Sequence, residues 1–446
     1  MPSEPLPTPS SSSPGLLDRL LRAFSDVRAG EGGTAALMFT NLLMLFVSYY
    51  VIRTVRDAMI LASGGAVVQS YASAGMALIL MGFIPLYSWF ATRVNRVKLV
   101  LGVMLFFVGT LELFALAFAG KMPYVAVAFF IWVGIFNNAT VAQFWSFAND
   151  LYRKEAGERI FPIVAIGATL GAPLGAKIAQ VLFKGGVKPE LLLQMAAGML
   201  LVHLVLYVVV QGREAKRADQ VVTAQAPIPP GGGFSLVLAS PYLRFIALLI
   251  ILLNIVNTNG NFIFNSVVVS AADAAAVADP SINKVSFIGA FLGGFLFYQN
   301  ILVVLIQAFL VSRIVKYFGM SGVLLAMPLV ALGGNALIAA GVGLSIIRWA
   351  KTAENAADYS VMNTGRQMLW LPTRREEKYK AKQAVDTFFV RAGDVLSAAL
   401  VFAGTTWLSL SASGFALLNL AMIVGWLGVV AVIIRQHREL SAKVAA

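Results

Sequence analysis

The sequence predicts an all-α polytopic membrane protein, about twelve transmembrane helices arranged as two six-helix bundles. Three observations lead there. Apolar residues make up 59% of the 446-residue chain and charged residues only 12%, against roughly 25% charged in a soluble domain. Apolar runs of about 20 residues, the length that spans a bilayer, recur along nearly the whole chain. A single long polar stretch near the middle divides these runs into two sets of six.

Residues 1–14 are rich in Pro and Ser and are expected to be disordered. No charged region, apolar core and cleavage site follow in the order of a secretory signal. Leu16, Leu17, Leu20, Leu21, Phe24 and Val27 recur at helical spacing, with Asp18, Arg19, Arg22 and Asp26 on the other face. That pattern predicts a short helix lying on the membrane surface, so 1–33 reads as tail plus interfacial helix. The first bundle is expected over 34–211, with spans at 34–54, 69–91, 98–120, 123–148, 160–183 and 190–211. The segment 212–241, with Pro227-Ile228-Pro229-Pro230 and three glycines, reads as the linker. The second bundle covers 242–436, with spans at 242–268, 285–310, 320–343, 345–370, 383–408 and 412–435, and a tail at 437–446.

Loop charge sets the expected orientation. The N-terminus, the even-numbered loops and the C-terminus hold 23 of the 34 Lys and Arg, against Lys121, Lys184, Lys188 and Lys284 in the odd-numbered loops. By the positive-inside rule both termini face the cytoplasm, of a bacterial inner membrane on this reading. The net charge of +13 is therefore loop charge, and no nucleic-acid partner is expected. The chain has no cysteine, which excludes disulfides, thiol catalysis and Cys-ligated metals. Its two histidines, His203 and His437, are too few for a histidine metal site; neither metal nor cofactor is expected. After span two comes Thr92-Arg93-Val94-Asn95-Arg96-Val97-Lys98-Leu99, and six spans later Ser312-Arg313-Ile314-Val315-Lys316-Tyr317-Phe318-Gly319. The recurrence of this basic turn points to an internal duplication of the major facilitator kind.

A charge in the middle of a bilayer costs about 2.5–3.5 kcal/mol on insertion scales, so each asks for a reason. The first span ends in Arg53-Thr54-Val55-Arg56-Asp57. Arg53 and Arg56 share a face, and Asp57 is placed to pair with Arg53. Snorkelling at the interface is the bland reading of these arginines. In span ten Arg348, Lys351, Asn355 and Asp358 form one stripe, with Arg366 beyond. Such a stripe is expected to face the other half or a water-filled cavity, the bland reading being an inter-helix ion network. Span eleven adds Arg391 and Asp394. Span seven carries Asn254, Asn257, Asn261 and Asn265 on one face, and span four Asn137, Asn138 and Gln143. Such density reads as a polar cavity wall, although asparagine also joins helices. Gly167, Gly171 and Gly175, four apart, read as a packing ridge. No G-x-x-x-x-G-K-[ST] occurs, so the chain has no Walker-type ATPase motif.

Three stretches carry a resemblance to the nucleotide transporter (ATP:ADP antiporter) family of intracellular bacteria and plastids and its free-living relatives. They are Arg53-Thr54-Val55-Arg56-Asp57; Phe144-Trp145-Ser146-Phe147-Ala148-Asn149 through Glu155, Glu158, Arg159 and Phe161-Pro162; and Tyr359-Ser360-Val361, Arg366-Gln367-Met368 and Pro372 with Lys378, Lys380, Lys382, Ala384 and Asp386. The resemblance spans essentially all twelve helices and implies nucleotide exchange. Departures are Arg56 for the family's lysine, Asn261 for a glutamate in span seven, Gln367 for a glutamate, and no acid in span four. Loss of acids with retention of bases still suits an anion.

The chain thus reads as a secondary transporter, not an enzyme, exchanging nucleotides or related phosphorylated anions by alternating access. Arg53, Arg56, Lys351 and Arg366 are the expected cations of the site, Asp57 and Asp358 its acids, and Asn138, Asn257, Asn261 and Asn355 its hydrogen-bonding wall. Proton-coupled transport of another organic anion is the nearest alternative, and a non-transporting structural or signalling protein stands in a different class. Gly319-Met320-Ser321-Gly322 matches the G-x-S-G of intramembrane serine proteases, but no histidine lies nearby in sequence to activate the serine.

Overall fold

The computed structural model describes residues 17–18, 22, 26–28, 30–91, 93–152, 154–215 and 232–445. Most of the expected interfacial helix and of the 212–241 linker lies outside the described residues. The rest is helical, with no strand among the described residues.

The first half runs α1 Gly32–Ala91, α2 Arg96–Ala119, α3 Val125–Leu151, α4 Lys154–Lys184 and α5 Pro189–Ala215. A short α6 Gly233–Ala239, inside the segment read as linker, sets Phe234 against the rings of Phe388 and Phe389. The second half follows with α7 Pro241–Ala278, α8 Lys284–Leu305 and α9 Val311–Ala339, α8 and α9 being joined by a π turn at Ile306–Leu310. Next come α10 Leu344–Ala357, a π turn at Asp358–Met362, and α11 Asn363–Met368. π turns at Glu377–Ala381 and Val385–Phe389 flank α12 Lys382–Ala384, before α13 Val390–Thr406 and α14 Ala412–Ala445.

Nine of the described helices are long and apolar enough to cross a bilayer. Two of these, Gly32–Tyr87 and Lys284–Ala339, run 56 residues each, about 84 Å if straight against a hydrocarbon core of about 30 Å. Each folds back on itself. Arg56 lies over Phe130, and Met76 lies against Gly134, one turn further along α3. A straight helix would hold Arg56 and Met76 about 30 Å apart. The reversal falls at Gly65, with φ 69° and ψ −174°, a region of backbone space essentially reserved for glycine. Gly319, with φ 58° and ψ −151°, does the same between the eighth and ninth spans. It brings Val311 and Val323 into one cluster with Val361. The segment Leu344–Met368, too polar to register as an apolar run, completes twelve crossings in two six-helix sets.

Local signals explain the helix starts. Asn95 accepts from the amides of Val97 and Lys98, and Asn283 from that of Ser286. Ser240 accepts from the Leu243 amide, with Pro241 in the first turn. Ahead of α1, Glu31 forms an ion pair with Arg159 at 3.0 Å, tying the chain start to α4. Partial burial pushes the Glu31 carboxyl up, but hydrogen bonds from Arg159 and the Arg28 amide outweigh it and hold the group below its usual range.

Packing inside the first half depends on the glycine ridge. A Cβ at Gly171 would meet the carbonyl oxygen of Leu43 at 2.8 Å, and Gly167 and Gly175 lie as tightly on the carbonyls of Phe39 and Val47. The ridge lets α4 rest directly on the α1 backbone. Gly171→Ala is expected to destabilise the protein by about 1–3 kcal/mol through overpacking. Gly425→Ala, where nothing lies within 4 Å of the added carbon, should leave stability equal or slightly higher. Melting temperature in detergent distinguishes the two, and equal values would remove the ridge from the account.

Candidate functional site

The two halves meet on the side away from the chain ends. Phe183 of α4 packs on Gly289 of α8, and Gln180 on Gly293, one turn apart. Gln69 of α1 receives a 2.7 Å hydrogen bond from Asn265 of α7, and Tyr71 contacts the ring of Phe402 on α13. Two cavities lie between the halves. The far cavity, of 220 Å³, is walled by Arg53, Arg56, Asp57, Gln69, Ser70 and Ser73 of α1 and Phe130 of α3. The second half lends it Asn257, Asn261 and Asn265 of α7, Asn355 of α10, Tyr359 and Asp394. The near cavity, of 630 Å³, lies toward the chain ends and is walled by Phe46, Tyr49, Tyr50, Asn137, Asn138, Trp145, Asn300 and Val303. Arg53 and Tyr359 border both cavities. They form the waist between them.

Of the ten residues expected at the site, the structure gathers Arg53, Arg56, Asp57, Asn257, Asn261 and Asn355 around the far cavity and Asn138 around the near one. The other three lie outside both linings. Lys351 is 2% exposed and pairs with Glu354, one turn along α10, at 2.6 Å. It also reaches the side-chain oxygen of Asn257 at 3.3 Å. Asp358 accepts from Asn257 at 3.0 Å. Arg366 faces Asp386 at 3.5 Å. The four expected cations therefore do not converge. Lys351 and Asp358 turn into their own bundle, where Glu354 supplies the counter-charge of Lys351 on the same helix, while Asn355 walls the far cavity and donates to Gln299 at 2.9 Å.

The asparagines of α7 divide by face. Asn257, Asn261 and Asn265 wall the far cavity, while Asn259 donates to Asn419 at 2.8 Å, and Asn419 in turn to Asn335 at 3.0 Å. Both readings of asparagine hold, on opposite sides of one helix. Asn254 donates to the carbonyl of Ile250 in its own helix.

Charge at the waist is unevenly answered. Arg56 pairs with Asp57 at 2.7 Å and lies over the Phe130 ring. Asp394 is held by Arg391 at 3.5 Å and by the Thr258 hydroxyl at 3.1 Å. Arg53 reaches Asp57 only at 4.0 Å, and its Nε is buried without a hydrogen-bond acceptor among the described residues. Seen from the near cavity, Arg53 is the only charged group in the lining. Around it stand Phe46, Tyr49, Tyr50, Trp145 and Tyr359 with three carboxamides. Tyr50 donates across the cavity to Asn300 at 3.2 Å. This aromatic wall was not singled out from the sequence. A chain with 30 Phe, 12 Tyr and 7 Trp offers no contrast by which to pick five of them, although Trp145 and Tyr359 stand in the quoted motifs.

The architecture is that of a polytopic α-helical membrane protein with two six-helix bundles around a central cavity, the major facilitator-like class. Among solved structures, that of the nucleoside transporter NupG superposes with a TM-score of 0.63 at 12% identity, over 90% of this chain and 98% of that one. A POT family transporter in complex with 5-aminolevulinic acid gives 0.61 at 12%, over 92% and 96%. No protein-family profile matches the chain. It is similar to ADP,ATP carrier protein 1 of Chlamydia trachomatis serovar D, 21% identical over 426 residues, covering 80% of this chain and 79% of that protein. The namesake protein of Chlamydia muridarum is 20% identical over the same shares.

The geometry makes a prediction about Asp57. Removing Arg56 leaves that carboxylate free to close on Arg53 and neutralise it. Arg56→Ala should therefore fold to near wild-type membrane yield and lose solute uptake. The double variant Arg56→Ala/Asp57→Asn should recover part of it. Wild-type uptake in Arg56→Ala would mean that the arginine only anchors the helix end.

Proposed function

We propose that this chain is a secondary transporter that exchanges nucleotides or related phosphorylated anions by alternating access, in a bacterial plasma membrane with both ends cytoplasmic. The observation that carries the reading is Arg53, which borders both cavities with a buried Nε that has no acceptor among the described residues. A guanidinium only partly answered, at the junction of two cavities, is a seat for an oxyanion, and its planar fork matches a phosphate bidentately. The near cavity extends from that seat with aromatic faces on which a planar ring can stack. Asn137, Asn138 and Asn300 meet the ring edge with carboxamides that both donate and accept. Rings with different edge patterns are then accommodated, so the base is read less strictly than the phosphate. The names of the curated relatives, ADP,ATP carriers, support the same substrate class.

In this reading the contacts of Phe183, Gln180 and Gln69 keep the far side closed while the near cavity receives substrate from the cytoplasm. Rocking of the halves about the Arg53–Tyr359 waist carries the anion to the other side. One-for-one exchange limits the charge moved against the membrane potential, which opposes each elementary charge by about 2.3 kcal/mol per 100 mV.

A second reading has an observation of its own. Asp57 and Asp394 place two carboxylates in the far cavity beside the arginines, an arrangement that a proton-coupled carrier of another organic anion would use. Proteoliposomes separate the two. Vesicles loaded with unlabelled nucleotide should take up labelled ATP, ADP or other nucleotides faster than simple sugar phosphates, and empty vesicles should not. Uptake by empty vesicles under a proton gradient would favour the second reading. Entry of a neutral or cationic solute with no anion exchange would overturn both.

A further inference from the structure

Outside the central cavities, one pocket gathers cations for which neither fold nor proposed transport accounts. It lies at the far end of the seam between the halves. Its volume is 420 Å³, and Gln180, Lys184, Asn283, Ser286, Phe291 and Arg348 are among the residues that line it. No carboxylate is in the lining. Arg348, the first residue of the polar stripe on α10, points here and has no ion pair among the described residues. Its guanidinium sits 5.2 Å from the Phe291 ring centroid, 5.4 Å from Tyr298 and 5.8 Å from Trp349. Those rings cover the cation, yet its Nε is buried without an acceptor among the described residues. Lys177 of α4, exposed at the same seam, donates to the side-chain amide oxygen of Gln180 at 2.9 Å and lies over Phe297. The Gln180 amide nitrogen and an Arg348 nitrogen both lie within 3.0 Å of the point where a Gly294 side chain would begin.

The position excludes a purely aqueous explanation. Lys184 ends α4, Lys177 lies about 10 Å deeper, and Arg348 about 6 Å into α10. That is the depth of lipid headgroups and the start of the acyl region. Basic residues are sparse on this side of the chain, so their collection in one pocket is not required by topology. Of the other far-side lysines, Lys284 already has Asp273 at 2.5 Å. Basic pockets between transmembrane helices bind anionic lipid headgroups on the cytoplasmic side of membranes, and this pocket offers the same donors on the far side.

We propose that this pocket holds the headgroup phosphate of an anionic phospholipid from the far leaflet. The phosphate oxygens accept from Arg348 and Lys184, with Lys177 adding charge and the acyl chains running down the seam. Because the pocket joins α4 to α8 and α10, an occupant ties the halves together on their closed side.

The test uses the full chain in lipid nanodiscs, with phosphatidylcholine alone or mixed with phosphatidylglycerol, and native mass spectrometry to count retained lipid. Wild type should retain phosphatidylglycerol in preference to phosphatidylcholine. Lys184→Gln, an exposed change that spares folding, should weaken retention about fivefold, the equivalent of ~1 kcal/mol for one cation. Lys184→Gln/Lys177→Gln should weaken it further, and Arg348→Gln most where it folds. Equal retention by wild type and the lysine variants would overturn the site. Protection of the detergent-solubilised protein by inorganic phosphate as strongly as by phosphatidylglycerol would overturn the lipid as occupant. Nucleotide exchange in proteoliposomes is read separately, so loss of the lipid site does not imply loss of the proposed transport.

Discussion

A charge carried into the bilayer has to be answered by a counter-charge, by hydrogen bonds or by water, and this requirement organises the whole interior. The chain answers several of its interior charges itself. Lys351 has Glu354 on its own helix, Arg391 has Asp394, and Arg56 has Asp57. Each pair is three residues apart or closer, so it forms as its helix forms and does not depend on how the bundles meet. Arg53 is the exception at the centre. Its nearest carboxylate is shared with Arg56 and stands at 4.0 Å. Both cavities open where that one cation is left partly unanswered.

The backbone makes the arrangement possible. Two glycines in a conformation closed to other residues, Gly65 and Gly319, turn long apolar stretches back on themselves. The Gly65 reversal places Ser73 and Met76 opposite Arg53 and Arg56, and so builds one wall of the far cavity from a single continuous segment. Within the first half, the Gly167–Gly171–Gly175 ridge presses α4 onto the carbonyls of α1. Between the halves, Gly289 and Gly293 give α8 the same closeness to Phe183 and Gln180. Packing of this kind favours units that move as bodies, which alternating access requires.

Much of the fold was legible in the sequence. The apolar runs, the mid-chain polar segment and the repeated basic turn all follow from the bilayer's demand for continuous apolar helices, a demand that acts on composition directly. The arginines at the end of the first span and the asparagine face of α7 were legible for the same reason: polar groups stand out against an apolar background. What stayed hidden depends on pairing across space. Nothing in the spacing of Lys351 and Asp358 distinguishes residues that face a cavity from ones satisfied by Glu354 and Asn257 inside their own bundle. Arg366 had Asp386 within view, but a turn and a stretch of irregular helix separate them. The aromatic wall of the near cavity was invisible because Tyr and Trp serve equally well against lipid.

Under the proposed transport, the cation at the waist holds the anionic part of the substrate while the aromatic cavity holds the remainder. Calorimetry on the purified protein, comparing a nucleoside triphosphate with its parent nucleoside, addresses it directly. The account predicts that the wild type binds the triphosphate far more tightly than the nucleoside, with an affinity that falls as salt rises. Arg53→Gln should bring the two ligands to similar, weak affinities while leaving nucleoside binding nearly unchanged. An Arg53→Gln variant that still prefers the triphosphate as strongly as the wild type would contradict it.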